Sequence, residues 1–238
     1  MLKKEINFGL TGQEREVLEQ ALVWTRGHFE RIPADVVIGG HGFDKTMRQA
    51  GMAAIVSSGE GHPVFLPVLT SMVMDVGRAT SDPRSRNYLH GQLSRELIVD
   101  NLLRKLDLLT DQDRILVANA VEDHSKLNEY VRRSYVVEAV MDADRLDCLG
   151  ALGPLRSASW LHNLPLILPG EVDTNSTDGQ LKTMYQDMVI RHMEWVDMLW
   201  TDTARKIAKP RVQAYREYLA RLQGEASVSY KAFEKLGI

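Results

Sequence analysis

The chain has 238 residues and a formal net charge of -3 at pH 7, with a calculated pI near 6.2. Hydrophobic residues make up 44% of the sequence and charged residues 26%, the proportions of a soluble globular protein with a substantial core. The weak negative charge gives no electrostatic basis for binding nucleic acid or an anionic membrane. The single cysteine, Cys148, excludes an intramolecular disulfide and a multi-cysteine metal site, and it fits a reducing cytoplasm.

Neither a targeting segment nor a membrane span is expected. Residues 1–5 lead into polar sequence without the apolar region of a signal peptide. The longest uncharged apolar stretch, residues 63–74, is too short to cross a bilayer and contains two prolines. This stretch therefore predicts a buried helix, and the chain is predicted to be cytoplasmic.

Helical periodicity runs through nearly the whole chain and predicts an all-α fold. Thr11 with Glu14 forms a capping-box pattern that opens the first helix, and Thr110 with Asp113 caps a later one. The predicted helices, in chain order, cover residues 12–32, 44–58, 63–78, about 93–106, 110–121, 134–146 and a long stretch from 181 that is bent or broken at Pro210.

Two irregular segments are also predicted. Residues 164–177 contain two prolines, a glycine and an asparagine, and they are expected to form a long loop or lid that carries substrate selectivity. Residues 224–238 are expected to form a loosely held C-terminal tail.

Two short acidic segments far apart carry most of the functional information. Residues 74–78 (Met-Asp-Val-Gly-Arg) resemble the His-Asp-Ile-Gly-Lys/Arg signature of HD-domain phosphohydrolases, with methionine in place of the histidine. Residues 142–147 (Asp-Ala-Asp-Arg-Leu-Asp) resemble the late acidic motif of the same superfamily. Further segments resemble that superfamily in the same order, at residues 41–48, 88–94, 120–125 and 201–208.

The resemblance covers about residues 24–219 and is greatest to a compact bacterial group of predicted metal-dependent hydrolases. It implies a single HD-like all-α domain over residues 1–238, with a helical bundle around a central pocket. It also implies a hydrolase-type site for a small-molecule ligand or substrate. The oligomeric state is left open, a homodimer included.

In that superfamily the metal ion is held by an opening histidine, the His-Asp doublet and a late aspartate, a donor set that suits Mn, Fe, Ni or Zn. The resemblance places these ligands at Lys45, Met74, Asp75 and Asp142. A charged lysine has no lone pair, and a thioether is a poor ligand for a hard dication. We therefore expect no metal ion at this primary site.

The two changed positions compensate each other in this interpretation. Without a metal ion, Asp75 and Asp142 would be buried carboxylates that repel each other and are costly to desolvate. Lys45 would supply a positive charge between them, and Met74 would fill the emptied volume. The alternative is that Lys45 points to solvent, as most lysines do.

His90 and His124 occupy positions that help to bind a second metal ion in binuclear members of the superfamily. Together with Asp75 they form a displaced candidate site for one divalent ion (Fe, Mn or Zn), a combination of two histidines and one carboxylate with open positions. The alternative is that each histidine only forms hydrogen bonds and lines the pocket.

Other polar residues have a functional and a structural interpretation. His41 is a candidate acid/base in the pocket, or a loop histidine that contacts the backbone. Arg145 is a candidate phosphate contact in the pocket, or a structural ion-pair partner oriented by Asp144 and Asp147. His192 lies on an apolar helical stripe and is interpreted as a core histidine.

Three hypotheses about function follow. The first is a metal-independent or otherwise altered enzyme that acts on a small, anionic molecule, with Lys45, His41, Asp75 and Asp142 as catalytic residues. The second is a metal-dependent phosphohydrolase that uses the displaced site. The third is a non-catalytic pseudoenzyme that binds a ligand or a partner through the fold alone.

Overall fold

The structure is a computed structural model that describes residues 7–32, 40–126, 130–168 and 182–236. Within these ranges the secondary structure is helical, with short 3-10 turns and no strand, so the predicted all-α fold is confirmed. None of the described helices is long and apolar enough to cross a membrane. The helices are α1 Gly12–Phe29, α2 Phe43–Gly59, α3 Phe65–Val73, α4 His90–Asn101, α5 Asp111–Asp123, α6 Tyr135–Asp147, α7 Gly153–Trp160, α8 Met184–Val189, α9 Arg191–Asp197 and α10 Asp202–Glu234.

The chain divides into two compact units. The first comprises Met1–Asp144 with Trp200–Thr203, and the second comprises Arg145–Leu199 with Ala204–Ile238. The expectation of a single domain over residues 1–238 stays a prediction. The predicted lid at 164–177 falls mostly outside the described residues, and its described part, 164–168, contains no helix.

Helix α3 is the centre of the first unit. All nine of its residues are buried, and it packs against α1, α2 and α5. The sequence predicted a helix over residues 63–78, but the α-helix ends at Val73 and a 3-10 turn, Val76–Ala79, follows. The helix ends because Asp75 leaves the helical region (φ -100°, ψ 5°) and the backbone N–H of Gly77 donates to Ser94 Oγ of α4 (2.8 Å). This break turns Asp75 away from the helix and toward α4.

Both capping boxes predicted from the sequence are confirmed. The Thr11 hydroxyl accepts from the Glu14 N–H (3.2 Å), and the Glu14 carboxylate accepts from the Thr11 N–H (2.7 Å). Thr110 and Asp113 make the same reciprocal pair at the start of α5, at 3.1 and 3.0 Å. These pairs satisfy backbone donors that a helix start otherwise leaves without an acceptor.

The C-terminal helix was predicted to be bent or broken at Pro210, and the structure shows no break there. Helix α10 runs through Pro210, and it continues past Gly224 to Glu234, where a tail was predicted. The break lies earlier, between α9 and Asp202. A proline inside a helix removes one hydrogen bond, but the buried stripe of α10 lies on both sides of it and holds the helix together. The buried residues of this stripe are Ala204, Ala208, Val212, Tyr215 and Leu219.

Candidate metal centre

Three buried side chains from different elements meet in the first unit. Asp75 follows α3, His90 is the first residue of α4, and His124 is the C-terminal cap of α5. Their relative exposures are 3, 5 and 8%. The metal-binding atoms of these three residues lie within 4.8 Å of one another.

Two glycines allow this close approach. A Cβ atom at Gly77 would lie 2.5 Å from the His90 carbonyl oxygen and 2.7 Å from the Ser94 nitrogen. A Cβ atom at Gly91 would lie 2.6 Å from the Glu122 carbonyl oxygen, at the end of α5. Any side chain larger than hydrogen would therefore push α4 away from the turn that follows Asp75, or away from α5.

The protonation of both imidazole rings is set by backbone carbonyls. Nδ1 of His90 lies 2.7 Å from the Asn87 oxygen, and Nδ1 of His124 lies 2.6 Å from the Val121 oxygen. A carbonyl oxygen only accepts, so Nδ1–H is the donor in each ring. In a neutral ring Nε2 then carries a lone pair and no proton. Burial lowers the pKa of His90 to about 4, so this ring is neutral at pH 7.

The Nε2 atoms of both rings and one carboxylate oxygen of Asp75 form a small triangle. Nε2 of His90 and Nε2 of His124 are 3.0 Å apart, and Asp75 Oδ1 lies 3.4 and 3.5 Å from them. The point in their plane that is equidistant from the three atoms lies about 1.9 Å from each. An ion slightly above this plane would have the metal–ligand distances of about 2.0–2.2 Å seen in proteins.

Asp75 is an ionised carboxylate with one oxygen left for a ligand. Its Oδ2 atom accepts from Lys45 Nζ at 2.5 Å, whereas its Oδ1 atom accepts no hydrogen bond from any described residue. Burial acts to raise the pKa of Asp75, but the Lys45 ammonium beside it lowers the pKa, which lies well below its usual value. Nε of Arg78 lies 3.6 Å from the same Oδ1 atom.

Lys45 is buried in an ion-pair cluster, as the sequence predicted, but one partner differs. Its ammonium lies 2.5 Å from Asp75 and 3.1 Å from Asp144, and only 1% of the side chain is exposed. The predicted second partner, Asp142, instead accepts hydrogen bonds from the Trp200 and Thr201 backbone N–H groups and from the Thr201 hydroxyl. Asp142 therefore fixes the chain just before α10 and does not contact Lys45.

The remaining predicted site residues are placed as follows. His41 is buried and helps to lower the pKa of Asp75, so it lies within electrostatic range of the cluster. Met74 is fully buried in the hydrophobic core of the first unit. Arg145 is in the second unit, where it donates to the Met198 carbonyl (2.6 Å).

Two residues of the cluster were missed as site residues by sequence reasoning. Asp144 was interpreted as orienting Arg145, and Gln49 was not considered. Gln49 follows Lys45 by one turn of α2, and its amide group donates to Asp144. The signal that could have found it is this spacing of four residues, which places both side chains on one helix face.

His192 is held in the second unit by core hydrogen bonding, as the sequence predicted. Its Nδ1 atom lies 2.7 Å from the Tyr215 hydroxyl, and its ring is 3% exposed. Burial lowers its pKa to about 4. The side chain thus behaves as a neutral core group at pH 7.

Comparisons with known proteins find relatives by structure and not by sequence. The sequence matches no family model and no curated protein at a significant level. Bacillus subtilis YpgQ, crystallised in complex with ADP, is 21% identical and superposes with a TM-score of 0.65 over 90% of this chain and 96% of that chain. An HD-superfamily hydrolase from Bacillus thuringiensis is 17% identical, with a TM-score of 0.66 over 89% of this chain and 97% of that chain.

This chain has the fold of the HD-superfamily hydrolases. A predicted HD-superfamily hydrolase from an uncultured Thermotogales bacterium agrees, at 19% identity and a TM-score of 0.57, covering 87% of this chain and 92% of that chain. The resemblance read from the short motifs is therefore confirmed at the level of the fold. Identities this low carry no residue roles, so the function depends on the site itself.

Proposed function

We propose that this chain is a metal-dependent phosphohydrolase that holds one divalent ion on Asp75, His90 and His124. The observation that carries the proposal is the triangle of acceptor atoms, whose separations of 3.0, 3.4 and 3.5 Å suit one ion bound to all three. The buried Asp75 Oδ1, which accepts no hydrogen bond from the described residues, supports the same conclusion. The proposal favours the second of the three hypotheses over the metal-independent enzyme.

The donor set fits the group that the fold implies. Two imidazole nitrogens and one carboxylate oxygen suit Fe, Mn or Zn, and three protein ligands leave positions open for water and substrate. When bound, such an ion polarises a phosphoryl oxygen and lowers the pKa of a coordinated water. The Asn87 and Val121 carbonyls orient the two rings by accepting from Nδ1–H.

The charges around the triangle favour an anionic substrate. The positive charges of Lys45 and Arg78 are balanced by the negative charges of Asp75 and Asp144. A divalent ion would leave the cluster with a net positive charge, which a phosphate group can neutralise. We therefore assign a small phosphoester or nucleotide as the substrate class, and the complex of YpgQ with ADP supports a nucleotide.

A second candidate is the metal-independent enzyme, and one observation favours it. The Lys45 ammonium already neutralises Asp75 at 2.5 Å, so one positive charge is present without any metal. In that case His41, Lys45 and Asp75 would perform acid–base chemistry on an anionic molecule, and the protein would purify free of metal. A non-catalytic pseudoenzyme would retain its binding function when the triangle residues are replaced.

The test is metal content by plasma mass spectrometry on untagged protein supplied with Mn, Fe or Zn, together with phosphatase assays on p-nitrophenyl phosphate and ADP. We expect one ion per chain and activity that a chelator removes. His124→Ala should lose both the ion and the activity. His62→Ala, which replaces an exposed histidine away from the triangle, is the matched control and should keep both. A folded wild-type protein that takes up none of the three metals would overturn the proposal.

A further inference from the structure

We propose that Lys45, Asp144 and Gln49 form a charged bridge that sets the affinity of the site for its metal ion. This inference rests on the proposed function and assigns to Asp144 the role of a positioning residue. Asp144 pairs with Lys45 and Gln49 and acts on the metal through Lys45.

The bridge has a defined geometry. The Lys45 ammonium lies between two carboxylates, 2.5 Å from Asp75 Oδ2 and 3.1 Å from Asp144 Oδ1. Gln49 donates from its amide nitrogen to the same Asp144 oxygen. Lys45 and Gln49 are each 1% exposed, whereas the Asp144 side chain is 30% exposed, so solvent screens the Asp144 end of the bridge in part.

The orientation of Gln49 indicates that the bridge is organised around Asp144. Its Oε1 atom is buried and accepts no hydrogen bond from the described residues. An unpaired buried acceptor costs about 1–3 kcal/mol. The amide nevertheless turns its nitrogen to Asp144, because the opposite orientation would place a carbonyl oxygen against a carboxylate. The Asp144 charge therefore dominates the arrangement of its neighbours.

The bridge acts on the metal through the charge of Asp75. Oδ2 of Asp75 is shared with an ammonium, so Oδ1 has less negative charge to offer to an ion. The ammonium also repels a dication bound on the other side of the same carboxylate. Asp144 offsets both effects, because its negative charge draws Lys45 away from Asp75. Lys45 lowers the metal affinity in this arrangement, and Asp144 raises it.

The test is isothermal titration calorimetry of the full-length metal-free chain with Mn²⁺ alone. Lys45→Met should bind Mn²⁺ about tenfold or more tightly than wild type, and Asp144→Asn should bind it about 10–100-fold more weakly. The double variant removes one charge of each sign and should bind with an affinity between those of the single variants. Asp100→Asn removes an exposed carboxylate on α4 and should leave the affinity unchanged.

The opposite signs separate this role from a purely structural one. If Lys45 and Asp144 only maintained the fold, each single change would weaken binding, and that result would overturn the inference. If Lys45→Met does not fold, the Mn²⁺ affinity of the double variant is compared with that of Asp144→Asn. The inference requires the double variant to bind more tightly, because it lacks the ammonium. If the wild type and all variants bind one Mn²⁺ with the same affinity, the bridge is refuted and the proposed function stands. No Mn²⁺ binding by wild type would overturn the proposed function, and the bridge with it.

Discussion

Gly91→Ala is predicted to destabilise the protein because α4 and α5 meet where position 91 has no side chain. The new Cβ atom would lie 2.6 Å from the Glu122 oxygen and 2.9 Å from the Val121 oxygen, whereas ordinary contacts begin at 3.4 Å. The Ser125 hydroxyl oxygen would also be too close and can rotate away, but the two carbonyl oxygens are backbone atoms that cannot, so the helices must separate by about 0.8 Å. Overpacking of this kind costs about 1–3 kcal/mol. The higher helix propensity of alanine recovers at most about 1 kcal/mol.

Urea denaturation provides the measurement, with Gly51→Ala as the matched control. Gly51 lies inside α2, and an added Cβ atom there has no neighbour within 4 Å, so alanine should stabilise the protein by about 0.5–1 kcal/mol. We expect Gly91→Ala to lower the free energy of unfolding by about 1–2 kcal/mol. It should also weaken Mn²⁺ binding, because His90 moves away from His124. If both alanine variants were equally stable, the helices would not be in the contact on which the site depends.

Three further predictions concern the rest of the chain. Thr110→Ala removes the cap of α5 and should lower the free energy of unfolding by about 1 kcal/mol in urea denaturation. Pro210→Ala restores a backbone hydrogen bond at an exposed position of α10. If α10 is continuous, the free energy of unfolding should rise by about 2 kcal/mol. His192 has a folded pKa of about 4 against 6.5 when unfolded, so stability should fall by up to about 1.4 kcal/mol per pH unit as the pH drops from 6.5 to 4. His192→Gln should show a shallower dependence over that pH range.

The helices could be predicted from the sequence where the local signals are strong. The capping boxes at Thr11 and Thr110 place two helix starts correctly, because side chain and backbone satisfy each other within one turn. The ends of α3 and the continuity of α10 could not be predicted, because both depend on tertiary packing. Asp75 leaves α3 where Gly77 meets α4, and Pro210 is tolerated where a buried stripe holds both sides of it.

The composition of the candidate site was also predictable, although its arrangement was not. The resemblance brought Asp75, His90 and His124 together as a displaced site, and the structure places their ligand atoms within 4.8 Å. The hydrogen-bond partners that orient the rings are the Asn87 carbonyl, in the turn before α4, and the Val121 carbonyl, in the last turn of α5, and the sequence analysis predicted neither. Lys45 and Met74 stand where the superfamily has metal-binding histidines, and the expected loss of the primary metal site stays a prediction.

The choice between Asp142 and Asp144 illustrates why the motif alone was insufficient. Residues two apart on an α-helix point to nearly opposite sides, so only one of the two carboxylates can face Lys45. The family resemblance favoured Asp142, but the local sequence does not distinguish the two, because both are aspartates in one short acidic motif. The decision is made by the chain before α10, where the Trp200 and Thr201 N–H groups need an acceptor and take Asp142. Asp144 is then the carboxylate left for the lysine, so the charges around the candidate metal site depend on how the chain enters α10.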